Sequence, residues 1–405
     1  MMKEKIILAY SGGLDTSVMV KWLQEKGYEV VTFTGDLGQQ IDLGAAEQKA
    51  KSLGAVACYT EDLKKEFVEK YCWQALKANS LYEGAYPNST TIGRPLLVKK
   101  LVEIAKKEGA TAVAHGSTGK GNDQVRFDVY THSLAPELQI IAPVREWGMT
   151  RTEEIEYAKK HNIDIPEKIG KYSTDENLWG RSIECGPLED PNNEPGDDVF
   201  EWVTTPEKAP DTPEYVKIKF EKGVPVALNG ISLEPVELVE KLNETGGKQG
   251  VGIIDHMESR LVGIKSRETY ECPGAVILIT AHKDLEKIVF TRHLVSFKSA
   301  IDQKWSEMAY TALWFDPLFD ALNTFIEETQ QYVNGEVTVK LYKGKTQVVG
   351  RTSPNSIYEY NLATYEEQGT FDQSAAVPFI KLWGMQSVLF NMKNKNGKTS
   401  MENTK

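Results

Sequence analysis

The apolar positions open with a short run, Ile6-Ile7-Leu8-Ala9, of the kind a buried strand requires. After Ser11-Gly12-Gly13 the period changes. Leu14, Val18 and Trp22 recur every four residues, with Met19 and Leu23 beside them, which predicts a helix stopped near Gly27. The alternation continues: a strand over 28–34 ends at Gly35-Asp36, a helix runs to Gly54, a strand lies near 55–59 and a helix covers 63–78. Pro95 stands near the start of a helix closed by Gly109, and 111–115 and 138–144 read as strands. Thr150-x-x-Glu153 forms a capping box for a helix reaching Lys160. Strand and helix in turn over 1–165 predict a parallel sheet with helices on both faces. Such sheets hold ligands at the carboxyl ends of their strands, where 9–17, 35–36 and 115–116 all fall.

From about 166 the pattern becomes mixed. Polar words at 172–178 and 181–185 precede a stretch, 187–213, rich in Pro, Asp and Glu, that reads as an excursion around a second domain. Strands are predicted over 216–220 and 225–231, a helix over 236–244 stopped by Gly246-Gly247, and, after 251–263 leads to Tyr270-Glu271-Cys272-Pro273-Gly274, a long helical region from 275 to about 334. A hairpin over 337–351 turns at Lys343-Gly344-Lys345. In the tail, Phe379, Leu382, Trp383, Met385, Val388 and Leu389 could stripe one helix, interrupted by Pro378 and Gly384. That stripe fits either an internal core or a subunit-docking arm. Residues 391–405 are polar and read as a frayed end.

The chemistry concentrates in two glycine-bearing words. In the first, 9–17, the strand-to-helix turn aims backbone N–H groups and the positive end of a helix dipole at one point, which is a site for phosphate or pyrophosphate. Ser11, Thr16 and Ser17 can donate to the same anion, and Asp15 can hold its Mg²⁺. A tight turn capped by Ser11 alone would leave the rest of the word unexplained. No Walker A loop is present: Gly344-Lys345-Thr346 has Val339, and Gly397-Lys398-Thr399 has Met392, where that motif needs glycine. The second word is His115-Gly116-Ser117-Thr118-Gly119-Lys120-Gly121-Asn122-Asp123-Gln124-Val125-Arg126-Phe127, read as a loop at a strand end. Thr118 and Asn122 can bond a carboxylate, Asp123 can accept from an ammonium, and Arg126 can fork to a planar polar group. Together they suit a zwitterionic amino acid. The loop 82–95 carries many hydroxyls, which serve equally as caps or as ligands.

Composition narrows the partners. With 47 basic and 58 acidic residues the net charge is −11, a poor match for non-specific nucleic-acid binding. Four cysteines form no metal-ligand spacing and read as thiols of a reducing, cytoplasmic compartment. No apolar run approaches a membrane span and no signal peptide is expected, so a membrane is not a predicted partner.

The Ser-Gly-Gly-Leu-Asp-Thr-Ser wording resembles the PP-loop of ATP pyrophosphatases. Joined to 115–127, to Asp-Glu-Asn-Leu at 175–178 and to Lys-Ser-Arg-Glu-Thr-Tyr-Glu-Cys-Pro-Gly at 265–274, it resembles the argininosuccinate synthases over nearly the whole chain. The resemblance implies an α/β fold: a Rossmann-like PP-loop ATP-binding domain over 1–165, an α+β synthetase domain over 166–360, and a C-terminal oligomerisation arm over 361–405. It implies ligation of citrulline to aspartate with ATP, through a citrulline adenylate, releasing AMP and pyrophosphate. ATP with Mg²⁺ would be held by Ala9, Tyr10, Ser11, Gly12, Gly13, Leu14, Asp15, Thr16, Ser17, Gly35 and Gly116. Citrulline would be held by Tyr86, Thr91, Asn122, Arg126, Ser173, Ser182, Glu258 and Tyr270, and aspartate by Thr118, Asn122 and Asp123. A homotetramer is also implied. Asp123 and Arg126 are expected to orient substrates, with no covalent nucleophile.

Three departures stand out. Residues 87–95 read Pro-Asn-Ser-Thr-Thr-Ile-Gly-Arg-Pro where the family usually has Leu-Leu-Gly-Thr-Ser-Leu-Ala-Arg-Pro. Trp179-Gly180-Arg181-Ser182 replaces a more usual His-Ile-Ser pattern, and Gly35 stands where alanine is common, which should matter little to a backbone contact. Two other classes of function compete. A tRNA-thiolating or amidotransferase PP-loop enzyme would want a cysteine pair, a basic face or a glutaminase domain. A non-catalytic nucleotide-binding module would leave the words at 173–182 and 265–274 idle.

Overall fold

Strand β1 (Lys5–Ala9) lies at the centre of a five-stranded parallel sheet with β2 (Glu29–Asp36), β3 (Ala57–Asp62), β4 (Ala112–Ala114) and β5 (Gln139–Ile141), in the order β3-β2-β1-β4-β5. The structure, a computed structural model, describes residues 4–165 and 170–398. Alternation along β1 decides what covers each face. Ile6 and Leu8 are buried with Leu14, Val18 and Leu23 of the helix Leu14–Glu25, whereas Ile7 is buried with Leu96 and Leu101 of the helix Gly93–Glu108. Strand order reverses between β1 and β4, so the loops after these two strands open into one crevice.

The second half begins with the hairpin β6 (Ser173–Asn177) and β7 (Gly180–Glu184). Next come β8 (Glu214–Glu221), β9 (Val224–Leu228), β10 (Ile231–Ser232), β11 (Ile253–Ser259), β12 (Lys265–Glu271), β13 (Gly335–Tyr342) and β14 (Lys345–Thr352). They build two antiparallel sheets, β10-β9-β8-β13-β14 and β11-β12-β7-β6. Residues Met1–Asn355 form one unit and Ser356–Lys405 a second.

Several expectations shift. The strand read over 138–144 shortens to Gln139–Ile141, because Pro143 starts the short helix Pro143–Trp147. The helix over 63–78 is interrupted by a π turn, Val68–Cys72. The polar words after 172, not read as strands, are the edge hairpin β6–β7. Gly246 and Gly247 do not stop a helix; Pro235–Lys248 runs through both. A Cβ on Gly247 would stand 2.1 Å from the Trp202 carbonyl oxygen, so close backbone approach requires this glycine. The long helical region divides into Pro273–Val289, Arg292–Tyr310 and Pro317–Gln330, the last capped by Asp316. Half of the word 115–127 is helix rather than loop, since Asn122–Leu134 begins at its midpoint.

In the tail, two helices, Ala376–Trp383 and Met385–Lys398, replace the single stripe, and Phe379, Leu382, Trp383 and Leu389 are exposed. The frayed end read over 391–405 is helical as far as Lys398, and 399–405 lie outside the described residues. So does 166–169, where the boundary between the first two domains was placed.

Candidate active site

Gly12 sits at φ +78°, in the left-handed region, and Gly13 is the N-cap of the helix Leu14–Glu25. No side chain caps this terminus, so the first amides of the helix face the cavity without an intrahelical carbonyl. Ser11 Oγ lies 3.1 Å from Thr16 Oγ1, setting two hydroxyls beside those amides. Ser17 turns the other way: its buried hydroxyl donates to the Gly13 carbonyl at 2.7 Å and meets Tyr10 OH at 3.2 Å. It braces the turn rather than facing an anion. Asp15, at the exposed mouth of the loop, pairs with Arg151.

Across the crevice the second cluster is built from four elements. Asn122, Asp123 and Arg126 occupy the first turns of the helix Asn122–Leu134, and Arg126 Nη1 donates to Asp123 Oδ1 at 2.9 Å. Glu258 on β11 accepts from Tyr270 OH on β12 at 2.6 Å and from Tyr310 OH. Asn122 Nδ2 donates to that same Tyr310 hydroxyl at 2.7 Å, and Tyr86 stacks on Tyr270 with centroids 4.0 Å apart. Tyr310 was not legible from spacing, yet it joins Glu258, Asn122 and, through its carbonyl, Arg126.

Two further residues escaped the sequence reading. Arg94 donates through Nε to Asp123 at 2.9 Å and pairs through Nη2 with Asp175 on β6. Burial pushes the Asp123 carboxyl up, but the guanidiniums of Arg94 and Arg126 outweigh it and hold the group well below the usual carboxylate range. Asp175 goes the other way: burial raises it, and Arg94 only partly offsets the rise. Burial likewise raises Glu258, opposed by the two tyrosine hydroxyls. Asp123 is therefore a fixed anion, suited to receiving an ammonium and poorly suited to taking its proton.

One cavity of about 890 Å³ joins the two clusters. Of the residues singled out from the sequence, all but Gly12 and Ser17 line it: Ala9, Tyr10, Ser11, Gly13, Leu14, Asp15, Thr16, Gly35 and Gly116 at one end, and Tyr86, Thr91, Thr118, Asn122, Asp123, Arg126, Ser173, Ser182, Glu258 and Tyr270 at the other. In the hydroxyl-rich loop no side chain caps the helix Gly93–Glu108, and the polar side chains divide between the core and the cavity wall. Asn88 Nδ2 reaches Ser80 Oγ and Ser306 Oγ, each at 2.8 Å, inside the core, while Thr90 and Thr91 line the cavity. The unusual Trp179-Gly180-Arg181 is also structural: Trp179 packs edge-on against Trp73, and Arg181 is buried against Glu271 at 2.7 Å. Gly35 matters more than a backbone contact would. A Cβ there would lie 2.7 Å from Leu97 Cδ2 and 3.0 Å from Leu63 Cδ1, so these leucines are packed to a glycine.

A parallel sheet, an S-G-G turn at its switch point and an uncapped helix start define a PP-loop ATP-handling enzyme. Residues 5–164 match the family described as arginosuccinate synthase N-terminal HUP domain, and residues 172–390 its C-terminal domain. Relatives named argininosuccinate synthase include one from Pyrococcus furiosus, 59% identical over 96% of this chain and 95% of its own length. Those of Listeria monocytogenes (55% identical, 95% of this chain and 96% of theirs) and Dehalococcoides mccartyi (54%, 96% of each) are similar. The chain belongs to the argininosuccinate synthase family.

Proposed function

We propose that this site joins citrulline to aspartate at the expense of ATP, yielding argininosuccinate, AMP and pyrophosphate. One observation carries the reading: a phosphate-type helix start and a cluster fitted to amino-acid head groups open into a single cavity. The ureido oxygen of citrulline attacks the α-phosphorus, the bond from that phosphorus to the bridging oxygen breaks, and pyrophosphate leaves toward residues 11–16. The adenylated isourea that remains is attacked at its central carbon by the amine of aspartate. The carbon–oxygen bond breaks, AMP departs with the former ureido oxygen, and the amine gives up its proton.

A neutral ureido oxygen is a weak nucleophile, so positioning supplies much of the acceleration. Asn122, Arg126, Glu258 and Tyr270, with Tyr86, Thr91, Ser173 and Ser182 around them, would hold citrulline, while Thr118, Asn122 and Asp123 would hold aspartate. The low-lying Asp123 carboxyl is a standing acceptor for an ammonium. At the other end the helix amides and the Ser11 and Thr16 hydroxyls meet charge building on the leaving group.

The donor set at this end fits Mg²⁺. One carboxylate, Asp15, with hydroxyls beside it suits a hard cation that takes its other ligands from water and phosphate. When bound, that ion offsets phosphate charge. Among the described residues no cluster of three acidic, His or Cys side chains forms an independent metal cage. No helix there is long and apolar enough to cross a membrane. A cytoplasmic homotetramer, with 1–165 binding ATP, 166–360 completing the amino-acid sites and 361–405 joining subunits, completes the proposal.

Omitting each substrate in turn while measuring AMP and pyrophosphate tests it. Dependence on both citrulline and aspartate is expected. Products of ADP and orthophosphate would overturn the reading.

A further inference from the structure

Arg151 stands in the first turn of the helix Arg151–Lys160, where the helix dipole opposes a positive charge. It is kept there by two carboxylates. Its Nη1 pairs with Asp15 of the phosphate loop, and the same nitrogen donates to Glu154 Oε2 at 2.7 Å. The two partners differ in kind. Asp15 is exposed, whereas Glu154 is buried, with its second oxygen, Oε1, left without any hydrogen-bond partner. An arginine shared between a buried and an exposed carboxylate, at a helix terminus that opposes its charge, calls for a reason beyond the ion pair itself.

The wall of the cavity supplies the reason. Five arginines and no lysine are found among its described lining residues. Arg94 and Arg126 are bound to Asp123, Arg181 to Glu271 and Glu201, and Arg260 to Glu184 and Glu268. Arg151 alone of the five bonds to a residue of the 11–17 turn. Lys49 also reaches that turn, but it is spent on the Gly12 carbonyl at 2.9 Å and does not line the cavity. The loop has no Walker-type lysine of its own, and among the arginines of the cavity wall Arg151 is the one within reach of it.

We propose that Arg151 binds the pyrophosphate leaving group, turning to it from Asp15 while Glu154 retains the guanidinium. Asp15 is an exchangeable partner because it is exposed; Glu154 is an anchor because it is buried. The inference rests on the reading that residues 11–16 receive pyrophosphate. A planar fork matches two phosphate oxygens, which a lysine ammonium cannot do.

Calorimetric titration of the full-length protein with sodium pyrophosphate, and separately with AMP, tests this. Arg151→Gln should weaken pyrophosphate by about tenfold or more, since charge-assisted bonds are lost. AMP affinity should stay unchanged, and Arg151→Lys should fall between wild type and Arg151→Gln for pyrophosphate. Unchanged pyrophosphate binding, or equal weakening of both ligands, overturns the proposal. Should Arg151→Gln fail to fold, phenylglyoxal modification of the wild type decides: pyrophosphate, not AMP, should protect Arg151, and equal labelling with and without it overturns the assignment. A wild type that binds no pyrophosphate overturns the loop reading itself. Binding that is indifferent to residue 151 overturns only the role of Arg151.

Discussion

Arg94 Nε and Asp123 Oδ2 meet at 2.9 Å, each side chain projecting from the first turn of a different helix. A guanidinium at a helix start is opposed by the dipole, so this one is stabilised by the carboxylates it joins. Asp123 is thereby flanked by two cations, Arg94 and Arg126.

The first prediction concerns this pair. A depressed carboxyl contributes its stabilisation above the ordinary carboxylate pKa and loses it only as pH falls through the folded value. For Asp123 that value lies below the usual range, so in wild type the aspartate KM should show no Asp123 titration on the acid side. Arg94→Gln removes one guanidinium and should bring a rise in KM below about pH 5. Asp123→Ala should raise the aspartate KM about tenfold or more at every pH, with ATP little affected. Identical acid limbs in wild type and Arg94→Gln would dismiss Arg94 as the controlling group.

Tyr310→Phe deletes a hydroxyl that donates to Glu258 and accepts from Asn122, while leaving the ring stacked on Tyr82. Folding should survive. The citrulline KM should rise about tenfold, the cost of disturbing a hydrogen bond to a charged group, with ATP binding nearly intact. A selective rise in ATP KM would place the tyrosine in the wrong half of the cavity.

Legibility from sequence followed how local the determinant was. The S-G-G-L-D-T-S turn and the capping box at Thr150 are set by neighbours a few residues apart, and both appear where spacing put them. Tyr310 and Arg94 were missed for the opposite reason. Tyr310 sits in a helix with no motif around it and Arg94 at the end of a word that matches its family only in part, and the role of each comes from partners such as Asn122 and Asp175, which lie 188 and 81 positions away. Gly247 misled because a glycine spaced for a helix stop also serves where a backbone must approach closely. Nothing local separates the two uses.

Asp302 gives a stability prediction away from the cavity. Burial and Glu286 push its carboxyl up against the pull of Lys298, 2.8 Å away, to about 6. A folded pKa above the unfolded one means that stability falls as pH rises through the window from about 4 to about 6. The loss is on the order of 2–3 kcal/mol. Glu286 is depressed and works in the opposite sense, so Asp302→Asn isolates the effect. Thermal unfolding should show a smaller drop over this window in the variant, and an unaltered slope would refute the assignment.

The exposed apolar side chains of the helices Ala376–Trp383 and Met385–Lys398, Trp383 and Phe390 among them, predict that residues 361–405 join subunits. Deleting them should lower the mass measured by light scattering while ATP binding persists. No change in mass would return these side chains to a role within one subunit.

Gly12 carries the prediction about the order of chemistry. Its φ of +78° is one that L side chains rarely adopt, yet a Cβ there would lie an ordinary 3.6 Å from Ala46 Cβ. Gly12→Ala is therefore penalised through backbone strain rather than lack of room, and relief of that strain would tilt the helix amides away from the leaving group. Losing one donor of this kind typically costs about 10²–10³ in kcat, so turnover should fall by that order while citrulline affinity holds. If the ureido oxygen attacks before aspartate is needed, wild type should exchange labelled pyrophosphate into ATP with citrulline present and aspartate absent, and Gly12→Ala should slow the exchange in parallel with kcat. Normal turnover in the variant would reduce the glycine to a turn former. Wild type without exchange would point to concerted chemistry or to pyrophosphate trapped in its site. Scrambling of label between the bridging and non-bridging β-phosphate oxygens of ATP separates those two, because only a trapped pyrophosphate can rotate and return.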